Sequence, residues 1–397
     1  MSEQARRRSE IRWRAVSTGS ANSQLRVAEA GIRGVPANYG GSETAVQEVG
    51  RRLAAAGDVV VVYCRRHKSP NNDPEYLGMR RVVLPSIPTF QLDTVTHSFL
   101  ASLDLLFRNR ADVVHFHGMG NALCLPLFVL SRKKTVITID GPDWERPKWG
   151  PIAKRVLRLS ARMAVRLADH LIIDNHPSID YFRRRFGLGD GDFTYIPYGA
   201  DLEPPTATDQ LATLGLEPRR YLLFVGALVP DKGPDILLDA YARVETELPL
   251  AVVGDSPFAP DFRRRLDEAA AKDPRVRMLG YQYGDAYRQL VANAYAYVHP
   301  ARNEGTSPAL LQAMGYGNCI VTNSLPEALA VTGDAALPFE RDDPADLARK
   351  LEQVLADPEL VARLRERASE RVRTEYNWDQ VAAAHRRVYE RVLAGTA

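Results

Sequence analysis

Ala294-Tyr-Ala-Tyr-Val-His-Pro300 and, after three intervening residues, Glu304-Gly-Thr-Ser-Pro-Ala-Leu-Leu-Gln312 form the stretch on which the reading of this chain turns. The first run is short, aromatic and β-branched, as a buried strand is. Ser307 is a good helix N-cap and Pro308 suits the first helical position, so the spacing predicts a helix from there to about Gly315. Gln312 then falls in the second turn. Helical side chains lean toward the N-terminus, which aims the Gln312 amide back at the pocket that Glu304 borders from the preceding loop. The unpaired amides of Thr306, Ser307 and the first turn, with the partial positive charge of the helix end, favour a phosphate there. An ordinary strand-loop-helix corner with a surface Glu would read the same on this segment alone.

The same unit recurs on both sides of it. Leu25 to Ala30, Val59 to Cys64, Val82 to Leu84, Val113 to His117, Thr135 to Ile139, Leu171 to Asp174 and Phe193 to Ile196 alternate with helical patterns, which predicts a parallel sheet clothed by helices. The polar, proline-bearing stretch Asp201 to Asp209 interrupts the rhythm. It resumes at Tyr221 to Val225 and continues through Leu250 to Val253, Val276 to Leu279, Tyr295 to His299, Cys319 to Thr322 and Ala335 to Leu337. The fold class is therefore α/β with two Rossmann-like halves facing a central cleft, because ligands of open parallel sheets bind beyond the carboxyl ends of the strands. The chain divides into residues 1–24, a flexible arm; 25–203, the first half; 204–377, the second; and 378–397, a final helix.

Composition fits that reading. A chain of 397 residues suits two cores, and a net charge of +3 from 52 basic and 49 acidic residues does not suggest a nucleic-acid partner. Cys64, Cys124 and Cys319 show no zinc or redox spacing, so no metal site is expected. Arg6-Arg7-Arg8 is followed by no apolar h-region, and the longest apolar runs fall short of the ~20 residues that span a bilayer. A cytoplasmic protein is expected.

Several loops at strand ends carry candidate chemistry. Gly31-Ile-Arg-Gly-Val-Pro-Ala-Asn-Tyr-Gly-Gly-Ser-Glu43 lacks the Gly-x-Gly-x-x-Gly dinucleotide fingerprint, yet Gly40 and Gly41 let backbone approach a diphosphate at a helix end; a tight turn explains them equally. Asp112-Val-Val-His-Phe-His117 ends a strand with His117 placed for the cleft and His115 read as structural. Asp140-Gly-Pro-Asp143-Trp144-Glu-Arg146-Pro-Lys-Trp149 combines carboxylates with aromatic faces suited to sugars, although the Trp residues would also serve to dock the loop. Gly226 and Lys232 stand in a second Gly turn, with Lys232 placed like a phosphate lysine. After Trp149 a basic helix sets Arg155, Arg158, Arg162 and Arg166 beside the apolar face Ile152, Val156, Leu159, Met163 and Leu167; it suits an anionic membrane or an acidic acceptor, or is simply solvated.

Taken in order, these motifs resemble the retaining glycosyltransferases of family four, with the GT-B fold, across nearly all of the chain after Gln24. The Gly31 loop and the Asp140 loop look especially like the rhamnosyltransferase-like branch. The resemblance implies an acceptor-side first domain, a nucleotide-sugar-binding second domain and a last helix, around Trp378, crossing back to the first. It implies that Gly40, Gly41 and Lys232 meet the donor diphosphate, that Glu304, Gly305, Thr306 and Ser307 hold sugar and phosphate, and that His117 faces the reacting sugar. Two departures stand out. Gln312 replaces the family's second Glu, expected on the nucleotide ribose, and Ala227 occupies a position where Arg is common, with Lys232, Arg33 or Arg302 as compensating cations.

The expected activity is retaining, metal-independent transfer of a hexose or deoxyhexose from a nucleoside-diphosphate sugar, with dTDP-sugars favoured, to a small-molecule, lipid-linked or glycan acceptor. No cofactor is expected. A GT-B scaffold that binds sugar nucleotide without turnover is the alternative, and a Rossmann-type oxidoreductase a third reading that the missing fingerprint disfavours. The arginine face of the basic helix is the candidate contact with the inner face of a membrane.

Overall fold

Strands buried on both faces need helices on both sides, and Val59–Arg65, almost wholly buried, is such a strand. The computed structural model describes residues 24–395 apart from 38–39, 70, 90–91, 109–110, 146–148 and 257–258. The arm expected over residues 1–24 thus lies almost wholly outside the described residues. The first sheet comprises β1 (Arg26–Ala30), β2 (Val59–Arg65), β3 (Glu75–Tyr76), β4 (Met79–Leu84), β5 (Val113–His117), β6 (Lys134–Ile139), β7 (His170–Ile173) and β8 (Phe193–Tyr195), in the order β3-β4-β2-β1-β5-β6-β7-β8. All its pairs are parallel except β3 with β4. That hairpin was not legible beforehand: it turns on Leu77 and Gly78, at φ 50° and 78°, and its outer strand has two residues.

Helices α1 (Gly41–Ala55), α2 (Leu92–Phe107), α3 (Pro151–Leu167) and α4 (His176–Phe186) clothe this sheet, and α5 (Asp209–Thr213) follows in the connector. The second sheet comprises β9 (Leu222–Val225), β10 (Leu250–Val253), β11 (Val276–Gly280), β12 (Ala296–His299), β13 (Cys319–Asn323) and β14 (Ala336–Phe339), all parallel, in the order β11-β10-β9-β12-β13-β14. Around it lie α6 (Pro234–Tyr241), α7 (Pro260–Ala270), α8 (Gly284–Ala292), α9 (Pro308–Gly315), α10 (Pro326–Thr332), α11 (Pro344–Ala356) and α12 (Pro358–Glu375). Strand order reverses between β1 and β5 and again between β9 and β12. Those are the switch points at which such sheets open a ligand crevice.

The last helix, α13 (Trp378–Ala394), leaves the second domain and packs on α1 of the first. Three polar contacts fix it there: Arg386 Nε to Asp58 at 3.0 Å, Arg52 Nε to Asp379 at 2.6 Å, and Tyr389 OH to Glu29 Oε1 at 3.1 Å. The crossing is tight. A Cβ on Gly199 would lie 2.6 Å from the Trp378 ring, so only glycine fits under it.

Candidate active site between the two sheets

The second-domain wall follows from the β9/β12 switch point, which brings the loops after those two strands side by side. Lys232, in the turn before α6, ion-pairs with Glu304 Oε1, and His299 Nε2 stands 3.2 Å from Glu304 Oε2. Glu304 is 11% exposed at its side chain. Burial pushes its carboxyl up, but Lys232 and then His299 outweigh it and hold the group well below the usual carboxylate range. The site thus holds a fixed negative charge. Ser307 caps α9 as expected, its Oγ accepting from Leu310 N.

The opposite wall comes from the first sheet. Asp140 O accepts from Asn175 Nδ2 at 2.8 Å and from Ser178 Oγ at 3.2 Å, so the loop after β6 is tied to the start of α4. Tyr198 OH reaches Asp140 Oδ1 at 3.4 Å. The two walls meet closely: Thr306 Oγ1 donates to Asp174 O at 2.9 Å, and a Cβ on Gly41 would lie 2.6 Å from Pro308 Cγ. Helix ends α1 and α9, both partially positive, therefore face one another. Between the walls lies a cavity of about 240 Å³ whose lining includes Asp140, Glu145, Asn175, Glu304, Gly305 and Glu327.

Of the residues expected in the site, this cavity collects Asp140, Glu304 and Gly305, with Lys232 attached through Glu304. Gly226 sits at the end of β9, where its carbonyl would be 1.9 Å from a Cβ on Gly254. His117 is 8% exposed at the β1/β5 switch point. Its Nε2 lies 2.7 Å from Glu29 Oε2, and His115 Nδ1 stands 3.2 Å from the same oxygen while also meeting Tyr389 OH at 2.8 Å. His115 Nε2 pairs with Thr138, which bears out its structural reading. Among the described residues, Glu29, His115 and His117 form the group whose donor atoms lie close enough to hold a metal ion, within 4.8 Å of one another. These atoms are already engaged with each other, Thr138 and Tyr389.

Several expectations need correction or restriction. Trp144 does not offer a face to sugars: it is 3% exposed, its ring centred 6.0, 6.1 and 6.2 Å from Tyr181, Phe182 and Phe186, so it docks the loop by apolar burial. Asp143 is not among the residues that line the cavity, and Arg146 lies outside the described residues. Gln312 does not point into the pocket. Its Oε1 accepts from Asp201 N at 3.2 Å and its Nε2 donates to Asp201 O at 3.1 Å, because the interdomain connector passes over α9 at that turn. Arg302 is no substitute for the charge missing at Ala227, being bidentate to Asp235 at 2.7 and 2.8 Å, and Arg33 Nη1 faces Glu43 Oε1 at 3.6 Å.

Glu29 was missed. A signal existed, since a carboxylate in the middle of Leu25 to Ala30 cannot be buried without partners. Asn175 and Glu327 carried no such signal, because only the approach of the two domains makes them lining residues, whereas Glu145 belongs to the acidic loop singled out for sugars.

Residues 39–204 match the family model described as Glycosyltransferase Family 4, and residues 219–357 match that of Glycosyl transferases group 1. The chain belongs to glycosyltransferase family four. The transferase is 28% identical to a D-inositol 3-phosphate glycosyltransferase of Streptomyces bingchenggensis, over 90% of this chain and 86% of that protein. It is 23% identical to the phosphatidylinositol N-acetylglucosaminyltransferase gpi3 subunit of Schizosaccharomyces pombe, over 89% and 78%. In structure the transferase is similar to sucrose-phosphate synthase of Thermosynechococcus elongatus, with a TM-score of 0.81 at 21% identity over 94% and 100% of the two chains. HepE of Anabaena in complex with UDP and glucose gives 0.76 at 16% identity over 92% and 100%. These likenesses establish the GT-B fold. Among the described residues of the transferase, no helix is long and apolar enough to cross a membrane.

Proposed function

We propose that the protein transfers a hexose or deoxyhexose from a nucleoside-diphosphate sugar to an acceptor hydroxyl with retention at the anomeric carbon. The observation that carries this is the Lys232–Glu304 pair beside the positive end of α9, across a cavity from Asp140 and Asn175. A diphosphate seated between the ends of α1 and α9 would draw Lys232 toward itself, freeing Glu304 Oε1 to accept from sugar hydroxyls. The bond from the anomeric carbon to the phosphate oxygen breaks while the acceptor oxygen attacks on the same face, and the acceptor proton passes to the departing phosphate. Lys232, the helix ends and the loops of Gly40, Gly41 and Gly226 stabilise the leaving charge, and close domain contact excludes water. Glu304 orients and His117, held by Glu29, completes the sugar side of the first domain. The step draws on no metal or cofactor.

Gln312 supports a deoxyribose donor such as a dTDP-sugar, because its amide is engaged with Asp201 and leaves no carboxylate at that position for paired ribose hydroxyls. The rhamnosyltransferase-like loops fit such a donor. Acceptors with a phosphate or lipid headgroup are favoured by the likeness to the D-inositol 3-phosphate and phosphatidylinositol glycosyltransferases, and the Arg155, Arg158, Arg162 and Arg166 face is proposed to contact the inner face of an anionic membrane. The scaffold reading draws on Ala227 and on the engagement of Lys232 with Glu304. Incubation with dTDP-, UDP- and GDP-sugars and candidate acceptors, followed by mass spectrometry, separates the two. Donor binding with neither transfer nor slow hydrolysis across the panel would defeat the enzyme.

A further inference from the structure

A carboxylate inside a buried strand is tolerated only with partners, and those of Glu29 on β1 are two imidazoles. His115 and His117 stand two residues apart on β5, so both side chains leave the same face of the sheet. The register of β1 with β5 sets Glu29 directly opposite His115 on that face. Two nitrogen donors from one strand and an oxygen donor from its neighbour are thus brought together by the sheet itself, a rigid frame rather than a loop. Cysteine spacing says nothing of such a set, whose Glu29 and His117 are 88 positions apart.

Two imidazoles and one carboxylate are a ligand set on which zinc takes tetrahedral geometry with its fourth position open. Donors bound to such an ion at ~2.0–2.2 Å stand about 3.3–3.5 Å from one another. Glu29 Oε2 lies 3.2 Å from His115 Nδ1 and 2.7 Å from His117 Nε2, so the first contact needs almost no change and the second a slight opening. The surrounding contacts point the same way. A ligating imidazole gives its other N–H to an oxygen, and His115 Nε2 faces Thr138 Oγ1 at 2.7 Å. A ligating carboxylate is itself hydrogen-bonded, and Glu29 Oε1 accepts from Tyr389 OH at 3.1 Å, leaving Oε2 for an ion. The hydrogen bonds among the three donors hold them at ligand spacing through protons that a cation replaces, each ring then carrying its proton on the outer nitrogen.

We propose that Glu29, His115 and His117 bind one divalent transition ion of the zinc class, with Thr138 and Tyr389 as its outer partners. His117, at the carboxyl end of β5, is the member that solvent reaches, so the ion enters from the crevice at the β1/β5 switch point. Bound there, it fastens β1 to β5 and, through Tyr389, to α13. It occupies the His117 nitrogen already turned to Glu29, and no step of sugar transfer passes through it.

The test is titration of the chelator-stripped full chain with Zn²⁺ against a chromogenic chelator, and with Co²⁺ by visible absorption. One equivalent per chain is expected, with the intense Co²⁺ bands of a four-coordinate site and a thermal midpoint that rises with free Zn²⁺. Glu29→Gln keeps the shape of the side chain and should weaken Zn²⁺ at least about tenfold, and Tyr389→Phe, which removes only the outer hydroxyl, by about 10–100-fold. His67→Asn, a replacement at a more exposed imidazole, should leave the affinity unchanged. Circular dichroism checks the fold of each variant, and the wild-type titrations depend on none of them. Failure of the wild type to bind either ion stoichiometrically overturns the proposal, as does a weak, six-coordinate Co²⁺ spectrum. Wild-type affinity in both Glu29→Gln and Tyr389→Phe, or its loss in His67→Asn, would show an adventitious ion only on other histidines and overturn it equally.

Discussion

Lys232→Met removes the charge that Glu304 faces while keeping the length of the side chain. Losing one partner of a fully buried ion pair costs about 3–5 kcal/mol, and exposed pairs contribute at most about 1. Lys232 is 28% exposed and Glu304 11%, and His299 Nε2 remains 3.2 Å from the other carboxylate oxygen. A loss of about 2 kcal/mol is therefore expected, read as a lower urea midpoint at unchanged slope. Adding Glu304→Gln removes the stranded charge and should restore most of that stability. Transfer behaves differently: Lys232 acts on the departing diphosphate, so the single variant should lose at least about tenfold in rate, or ~1.4 kcal/mol, and the double variant should recover none of it. Turnover measured by mass spectrometry beside urea unfolding separates the two roles. Near-normal rates in Lys232→Met and Glu304→Ala, or a double variant whose rate returns along with its stability, would refute the assignment.

Gln312→Glu sets a carboxylate against Asp201 O in place of a donor, and is expected to cost about 1–3 kcal/mol in denaturant unfolding; a shift toward ribose donors in the same variant would support the deoxyribose preference, and an unchanged profile would count against it. Gly41→Ala places a Cβ 2.6 Å from the Pro308 ring and should separate the two helix ends, raising the donor KM more than it lowers stability; an unchanged KM would show that the contact is dispensable. Burial lowers His97, His170 and His385 from 6.5 to about 4. Since the unfolded chain binds these protons first, their contribution is complete above pH 6.5 and is lost as pH falls toward 4, so urea midpoints should decline through that window, and a flat profile would contradict it. Trp144→Ala should cost about 3–5 kcal/mol by leaving a cavity among Tyr181, Phe182 and Phe186, with donor KM changed little; the opposite pattern would return the ring to substrate binding.

Local pattern carried the fold a long way. The alternation of apolar strands with helices and the Ser307-Pro308 start of α9 are short-range signals, and both survive in the structure. Strand ends, Gly turns and charged loops were legible for the same reason: backbone geometry and capping depend on neighbours in the chain. The short β3 strand escaped because a two-residue hairpin has no period to detect.

Which of the candidate residues meet was a matter of long-range packing. Glu304 and Lys232, 72 positions apart, become a pair because β9 and β12 are neighbours across the reversal in strand order. Trp144 becomes core and Gln312 becomes a clasp on the connector, since a side chain goes to the partner that the packed domains put within reach. The face of α3 that is buried was likewise settled by its neighbours: amphipathic spacing identifies a stripe, but the close approach of the Met119 segment chose the small residues Ser160, Ala161 and Ala164. The residue types that favour a phosphate and a sugar were written along the chain; their convergence on one cleft came from the contact of two domains that no local interaction encodes.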